Sequence, residues 1–106
     1  MTNQDLLNYH SEIQQLAQAG SILIQFNKSR IKEFYRYNED KIHTLQNKLN
    51  RINKSYFEYE EIEGKTKIKF TGEGKDKKPV FLDGKNEEGY TKERGELLNT
   101  LIVINF

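Results

Sequence analysis

Apolar residues recur at helical spacing through a long stretch of the chain, residues 21–52. The stretch contains no proline and no glycine, and its apolar positions stand about one or two helical turns apart: Ile24, Ile31, Phe34, Ile42, Leu45, Leu49 and Ile52. This spacing places them along one face of a helix. It predicts a single long amphipathic helix on which the rest of the chain packs.

The C-terminal part of this predicted helix is the most regular, with apolar steps of three and four residues from Ile42 to Ile52. Such steps are typical of a coiled-coil seam. Asn27 and Asn38 stand where the apolar spacing would continue. An asparagine in a helical seam can fix register and oligomeric state, or the position can simply face water, and both interpretations stay open.

A shorter apolar stripe from Leu6 to Leu16 predicts a first helix before the long one. Thr2 and Asp5 are spaced as a capping box at its start. Gly20 can adopt the left-handed conformation that ends a helix, and Ser21 can cap the next. The sequence therefore predicts an N-terminal helical pair.

After Lys54 the apolar period changes from about 3.6 to 2, which indicates strands. A turn at Glu63-Gly64 predicts a hairpin whose two faces both match. The pairs in this register are Phe57 with Phe70 and Tyr59 with Ile68 on one face, and Glu58 with Lys69 and Glu60 with Lys67 on the other.

The remaining residues predict short elements. Residues 79–82 form at best an edge strand, because proline cannot donate to a ladder. Thr91 is expected to cap a short helix over 91–99. The apolar run 101–106 predicts a buried or centrally paired strand.

Together these elements predict an α+β fold with an N-terminal helical pair that includes one long amphipathic helix. A small antiparallel sheet follows, made of the hairpin and the C-terminal strand. At 106 residues the chain is expected to form a single domain. Residues 1–54 would be helical, and residues 55–106 would form a small β-rich cap with a short helix.

Composition narrows the setting of the protein. Only 35% of residues are hydrophobic and 31% are charged, which favours an elongated shape or a partner. With no cysteine, disulfides and thiolate metal sites are excluded. Neither a membrane span nor a signal-peptide pattern is present. We expect a soluble protein that does not contact membranes and is not exported by the Sec pathway.

No motif in the sequence predicts catalysis or a cofactor. His10 and His43 fall on different predicted helices, and we expect neither to have an Asp, Glu or Ser at a spacing that would orient it as a base. The Gly72-Glu73-Gly74-Lys75 stretch has the composition of a phosphate loop without its spacing. We therefore predict a protein that is not an enzyme and needs no cofactor or metal.

A basic row is the candidate contact for nucleic acid. Lys28, Lys32 and Arg36 are four residues apart and share a helix face. Residues 21–54 hold eight Lys or Arg against three acidic residues. Net charge is only +1, so a solvated helix face is the preferred interpretation, and weak nucleic-acid binding is the alternative.

Protein contact is the favoured class of function. A thin core, a polar-interrupted seam and an apolar C-terminus predict surface that a monomer would struggle to cover. The candidate contact residues come from the seam and the predicted C-terminal strand: Ile42, Leu45, Leu49, Ile52, Leu101 and Val103. The partner is another protein or a second copy; a monomer that covers these residues itself is the alternative.

The order of the segments resembles a family of short tailed-phage proteins of unknown function. The likeness lies in Leu16-Ala17-Gln18, a break, and then residues 24–31 opening a long charged helix. The end is also similar, with Glu96-Leu97-Leu98-Asn99-Thr100 before an apolar segment. Members of that family usually break the first helix with proline, where this chain has Gly20-Ser21.

The resemblance implies phage or prophage origin and a small non-catalytic protein. It is expected in the bacterial host cytoplasm or in the virion. Two roles follow as hypotheses: a virion or assembly component, or a soluble inhibitor or modulator of a host protein.

Overall fold

The computed structural model describes residues 1–105, which fold as two compact units. One contains Met1–Asn47 together with the chain from Glu96 onward; the other is Lys48–Gly95. The helices are α1 (Asn3–Gln18), α2 (Ile22–Phe26), α3 (Lys28–Tyr56) and α4 (Glu87–Leu98). The strands are β1 (Tyr59–Ile62), β2 (Lys65–Ile68), β3 (Phe70–Thr71) and β4 (Lys78–Pro79).

This architecture confirms the predicted α+β class. Two small antiparallel sheets follow the long helix, one pairing β1 with β2 and the other pairing β3 with β4. The prediction of a single domain stays a prediction.

The start and end of α1 are as predicted. The Thr2 backbone N–H donates to Asp5 Oδ2 over 2.8 Å, and the Asp5 N–H donates to Thr2 Oγ1, so the capping box forms. Gly20 has φ +66°, and the Ser21 N–H donates to the Leu16 carbonyl after the chain has turned. The left-handed glycine thus ends the helix and frees the chain to start another.

The predicted single helix over residues 21–52 is wrong at its beginning. The chain breaks at Asn27, whose backbone N–H and side-chain amide both donate to the Leu23 carbonyl. Asn27 has φ −106° and ψ 16°, which depart from regular helical values, so α2 ends after five residues. From Lys28 the helix is continuous and runs beyond the predicted end, to Tyr56.

The core of the first unit lies where α1 packs on α3. Its buried residues are Leu6, Phe34, Ile42 and Ile104, with Tyr9, Ile13, Tyr35 and Ile102 half-buried against them. The Tyr9 and Phe34 rings meet edge to face at 6.4 Å. The apolar face predicted on the long helix is therefore covered, in part, by the chain's own C-terminal residues.

The prediction of a C-terminal strand is wrong for the residues that the structure describes. Residues 101–105 are extended, but they make only an isolated bridge, between Leu101 and Thr2. The Ile102 N–H donates to the Met1 carbonyl, and the Val103 carbonyl accepts from Lys41 Nζ at 2.9 Å. The backbone of this segment is hydrogen-bonded by the N-terminus and by two α3 side chains, which take the place of a neighbouring strand. Phe106 lies outside the described residues.

Asn38 is the buried polar residue of this core, with no exposed surface. Its Nδ2 donates to the Phe34 carbonyl at 2.8 Å and also to the Asn105 carbonyl. Its Oδ1 accepts from the Asn105 N–H at 3.4 Å. Of the two interpretations of this asparagine, the structure excludes a side chain that faces water: it binds the C-terminal backbone.

The second unit contains the hairpin, whose predicted register is confirmed over β1 and β2. Tyr59 pairs with Ile68 and Glu60 with Lys67 around a turn in which Glu63 and Gly64 both have positive φ. On the N-terminal side of Tyr59 the regular ladder between β1 and β2 ends. The Glu58 N–H turns to the Val80 carbonyl, although the Lys69 N–H still donates to the Glu58 carbonyl.

The predicted pairing of Phe57 with Phe70 is wrong for this reason. Phe57 bridges to Phe81 instead, with the ring centroids 4.9 Å apart, and Phe70 pairs with Pro79. The edge strand predicted at 79–82 is likewise displaced, since β4 already ends at Pro79.

Aromatic rings form the core of the second unit. Tyr90 lies edge to face with both Tyr56 and Phe57, at 5.7 and 4.7 Å. The Tyr90 hydroxyl donates to Asn53 Oδ1, and the Tyr56 hydroxyl donates to Glu93 Oε2, each at 2.7 Å.

Tyr90 reaches this core because α4 begins earlier than predicted. Its first turn is capped by Asn86, whose Oδ1 accepts from the Gly89 N–H at 2.8 Å. The predicted cap, Thr91, therefore lies inside the helix.

We predict that Asn38→Ala lowers the free energy of unfolding by about 1–3 kcal/mol, because the Asn105 N–H and carbonyl lose their buried partner. The measurement is urea denaturation followed by circular dichroism. Asn47→Ala, at an exposed position of the same helix, is the matched control and carries the same gain in helix propensity. Equal unfolding midpoints for the two variants would contradict the role given to Asn38.

Candidate protein-binding surface

Three large apolar side chains of the short helix α2 are exposed to solvent. Ile22 is 62% exposed, Leu23 53% and Phe26 80%. Positions i, i+1 and i+4 of a helix lie within about 100° of one another, so the three side chains share one face. We call Ile22, Leu23 and Phe26 the α2 face.

The local sequence explains why this face points outward. Gly20 and Ser21 end one helix and cap the next, with Ser21 Oγ accepting from the Leu23 N–H. Asn27 then ends α2 after little more than one turn. In so short a helix only Ile24 is half-buried, and the other apolar side chains remain outside.

The charged residues closest in sequence to the α2 face have one sign. No Asp or Glu occurs in residues 13–32, whereas Lys28, Arg30 and Lys32 follow α2 directly. All three basic residues are exposed. An apolar face followed by unopposed positive charge suits a partner surface that is apolar at its centre and acidic at its edge.

The predicted basic row is exposed as a whole. Lys28, Lys32 and Arg36 all lie at the surface of α3. Arg36 is partly engaged, since its Nη1 is 3.8 Å from Glu33 Oε1 and its guanidinium lies 5.8 Å from the Tyr37 ring centre. Nucleic-acid binding by this row stays a prediction.

The predicted contact residues of the seam are mostly not available at the surface. Ile42 and Leu45 are each 3% exposed, so the chain itself covers them. Leu49 and Ile52 are half-buried. Packing within the chain thus accounts for the most regular part of the apolar pattern.

Leu101 and Val103 are 79% and 74% exposed. They alternate with the inward-facing Ile102 and Ile104, as expected for an extended segment. Their side chains are free for contact, although the backbone hydrogen bonds to the N-terminus and to α3 side chains leave this segment less room to pair with another strand.

Both histidines line one small cavity in the first unit, of about 250 Å³. His10 Nδ1 is hydrogen-bonded to the Tyr35 hydroxyl at 2.9 Å, and His43 Nε2 lies 3.8 Å from Glu39 Oε1. Burial raises the pKa of the Tyr35 phenol, so at neutral pH it stays a neutral hydrogen-bonding group.

The expectation that neither histidine has an Asp, Glu or Ser at a suitable spacing is wrong for His43, which has Glu39 one helical turn away; the partner of His10 is a tyrosine. The Glu39 contact was detectable as an i, i+4 pair on a helix. The pairing of His10 with Tyr35 was not, because it depends on how α1 packs on α3. In residues 1–105 no group of three His, Cys, Asp or Glu side chains is placed to hold a metal ion. The absence of catalysis stays a prediction.

Comparisons of this chain with protein-family models, curated proteins and solved structures give no match. The resemblance to tailed-phage proteins stays a hypothesis. Within the described residues, no helix is both long and apolar enough to cross a membrane. The α2 face is therefore identified as the candidate site from its geometry alone.

We predict that Phe26→Ser changes the free energy of unfolding by no more than about 0.5 kcal/mol, as is usual for an exposed position. Phe34→Ala, in the core of the same unit, should lose about 3–5 kcal/mol. Parallel denaturant titrations measure both. A loss at Phe26 as large as that at Phe34 would mean that Phe26 is structural.

Proposed function

We propose that this chain is a non-enzymatic protein that acts through protein–protein contact, with the α2 face as the anchor of the interface. The observation that carries the proposal is the exposure of Ile22, Leu23 and Phe26 on one face of one short helix. Adjacent exposed apolar side chains of this size are typical of interaction sites in soluble proteins.

The apolar area supplies the affinity in this proposal. Fully burying one side chain such as Phe or Leu is worth roughly 1.5–3 kcal/mol. Most of the binding energy of an interface commonly comes from a few central apolar or aromatic residues. Phe26, the most exposed of the three, is the expected hot spot.

The positive charge selects the partner. Lys28 and Lys32, one helical turn apart on α3, make a cationic rim next to the α2 face, with no carboxylate in residues 13–32 to neutralise it. Rim charges mainly govern association rate and partner choice. The proposed partner is therefore a protein with an apolar patch or groove bordered by Asp and Glu.

Self-association through the α2 face is disfavoured by the same charges. A symmetric dimer would bring two cationic rims together. We therefore predict a mass of 12.6 kDa in light scattering, independent of concentration. A dimer that Phe26→Ser dissolves would show instead that the occupant of this face is a second copy.

The experiment that tests the function compares captured proteins across matched variants. Tagged wild-type chain, Phe26→Ser and Lys28→Glu/Lys32→Glu are incubated with bacterial host lysate and with particle fractions. Bound proteins are quantified by mass spectrometry. Val103→Ser is the matched control, because Val103 is a similarly exposed apolar residue at another surface.

We predict an acidic protein that binds the wild type and the Val103→Ser control. Its apparent affinity for Phe26→Ser should fall about tenfold or more, the effect of losing roughly 1.4 kcal/mol. The double charge reversal should slow association and lessen its salt dependence. A protein that binds all variants equally, or that only Val103→Ser loses, would overturn the role of the α2 face. Recovery from particles or from lysate separates the virion and host-factor hypotheses.

A further inference from the structure

The second unit contains an extended segment, residues 65–71, that combines two strands. It consists of β2, Lys69 and β3. β2 pairs with β1 and β3 pairs with β4, each in a two-stranded sheet, so each of the two strands has one partner. Every residue of the segment is exposed except Ile68, which is half-buried. The segment is therefore accessible along its length.

The hydrogen bonds of Lys69 place β1 and β4 on the same side of this segment. Its N–H donates to the carbonyl of Glu58, just before β1, at 2.8 Å, and its carbonyl accepts from the N–H of Val80, just after β4, at 2.9 Å. In an antiparallel ladder the N–H and C=O of one residue point to the same side of the strand. Both partner strands therefore lie along one edge. The opposite edge, which we call the outer edge, has no partner strand within residues 1–105.

The backbone groups that point to the outer edge belong to Thr66, Ile68 and Phe70. Ile68 stands opposite Tyr59, and Phe70 stands opposite Pro79. The adjacent hydrogen bonds make both of these pairs the kind without mutual hydrogen bonds, which suits proline because it has no N–H. Within the described residues, no other backbone group pairs with the outward N–H and C=O groups.

Lysine occupies every second position of the segment, at Lys65, Lys67 and Lys69. Side chains alternate along a strand, so the three lysines share one face, about 7 Å apart, and the residues between them share the other face. Within residues 1–105 none of the three lysines forms an ion pair. A ligand that matches this segment must alternate in the same way.

β1 shows what kind of strand the segment accepts on its paired edge. Glu60 stands opposite Lys67 on one face, and Tyr59 stands opposite Ile68 on the other. On the outer edge, an added antiparallel strand would place its residues opposite the lysines in pairs without mutual hydrogen bonds, where facing side chains are closest. Acidic residues are favoured at these positions.

The lysines also disfavour a second copy of this chain as the occupant. An antiparallel pairing of two outer edges that satisfies the outward backbone groups would place lysine opposite lysine, which is destabilising. Lysines on edge strands commonly prevent such pairing between identical edges. An unlike strand that carries acid at alternate positions does not meet this repulsion.

We propose that the outer edge binds an extended acidic segment of a partner protein, which adds to it as an antiparallel strand. Asp or Glu residues of the segment face the lysines, and β-branched or aromatic residues between them face Thr66, Ile68 and Phe70. Main-chain hydrogen bonds supply the affinity, and the alternation supplies the specificity. The outer edge shares no residue with the α2 face, so its test does not depend on the function proposed above.

The test is an NMR titration of the ¹⁵N-labelled full chain with an acetylated, amidated hexapeptide, Val-Glu-Tyr-Glu-Val-Glu. We expect a dissociation constant of roughly 1 mM or tighter. Amide exchange should slow at Thr66, Ile68 and Phe70, whose N–H groups gain partners. The amides of Lys65 and Lys67, which already face β1, should change little.

Two methylated peptides give the decisive comparison, because they leave the protein unaltered. In the proposed pairing the tyrosine N–H of the peptide points to the outer edge, whereas the N–H of each glutamate points to solvent. Methylation of the tyrosine nitrogen should weaken binding about tenfold or more. Methylation of the central glutamate nitrogen should change the affinity less than about twofold.

Lys67→Gln should weaken binding about two- to fivefold, because one facing charge pair is lost. Lys92→Gln, at an exposed position of α4 in the same unit, is the matched control and should bind as the wild type does. The other ligands are the same peptide with Lys for each Glu, a peptide of the same composition in the order Val-Val-Tyr-Glu-Glu-Glu, and decathymidylate. Each should bind at least about fivefold more weakly.

Equal effects of the two methylations would overturn the proposal, as would equal binding of the lysine peptide or of the reordered peptide. Binding of decathymidylate alone would assign the lysines to nucleic acid. No binding of any ligand would mean that the lysines only protect the edge. Protected outer-edge amides in the free chain, together with a mass above 12.6 kDa, would assign the edge to a second copy.

Discussion

The first unit depends on one buried polar side chain, the amide of Asn38. It satisfies both the N–H and the carbonyl of Asn105 from within the core, and so it holds an extended C-terminal segment against α3. Because the segment is held there, Ile104 can complete the cluster of Leu6, Phe34 and Ile42. A buried amide tolerates few other arrangements, which makes this packing specific as well as stable.

This closure decides which surfaces are left for function. The apolar seam of α3 is largely covered by the chain itself, since Ile42 and Leu45 are buried. The exposed apolar surface of this unit lies instead on α2, because this helix is too short to bury more than Ile24. In the second unit, the large apolar side chains of Ile62 and Phe70 are exposed. Each unit, considered by itself, therefore keeps some apolar surface exposed.

Features that depend on residues close in sequence were predicted correctly, whereas pairings that depend on tertiary packing were not. The capping box at Thr2, the end of α1 at Gly20 and the Tyr59–Ile68 register all depend on residues close in sequence, and all are confirmed. The partners of Phe57 and of the C-terminal segment depend on tertiary packing, which periodicity does not report.

The candidate site shows the same limit. The apolar residues of α2 are plain in the sequence, but the predicted stripe of the long helix contains only Ile24, the one that faces inward. The break at Asn27 could not be predicted from the sequence. An asparagine whose side chain binds the Leu23 carbonyl looks, in sequence, like any polar helical position. Charge was more informative, since the absence of acid in residues 13–32 is plain from composition.

Amide hydrogen exchange on the chain bound to its captured partner tests the central claim most directly. With contact through the α2 face, the peptide that covers residues 16–27 should gain protection in the complex, while residues 101–105 should exchange as in the free chain. Protection confined to the C-terminal segment, or absent from α2, would contradict the account.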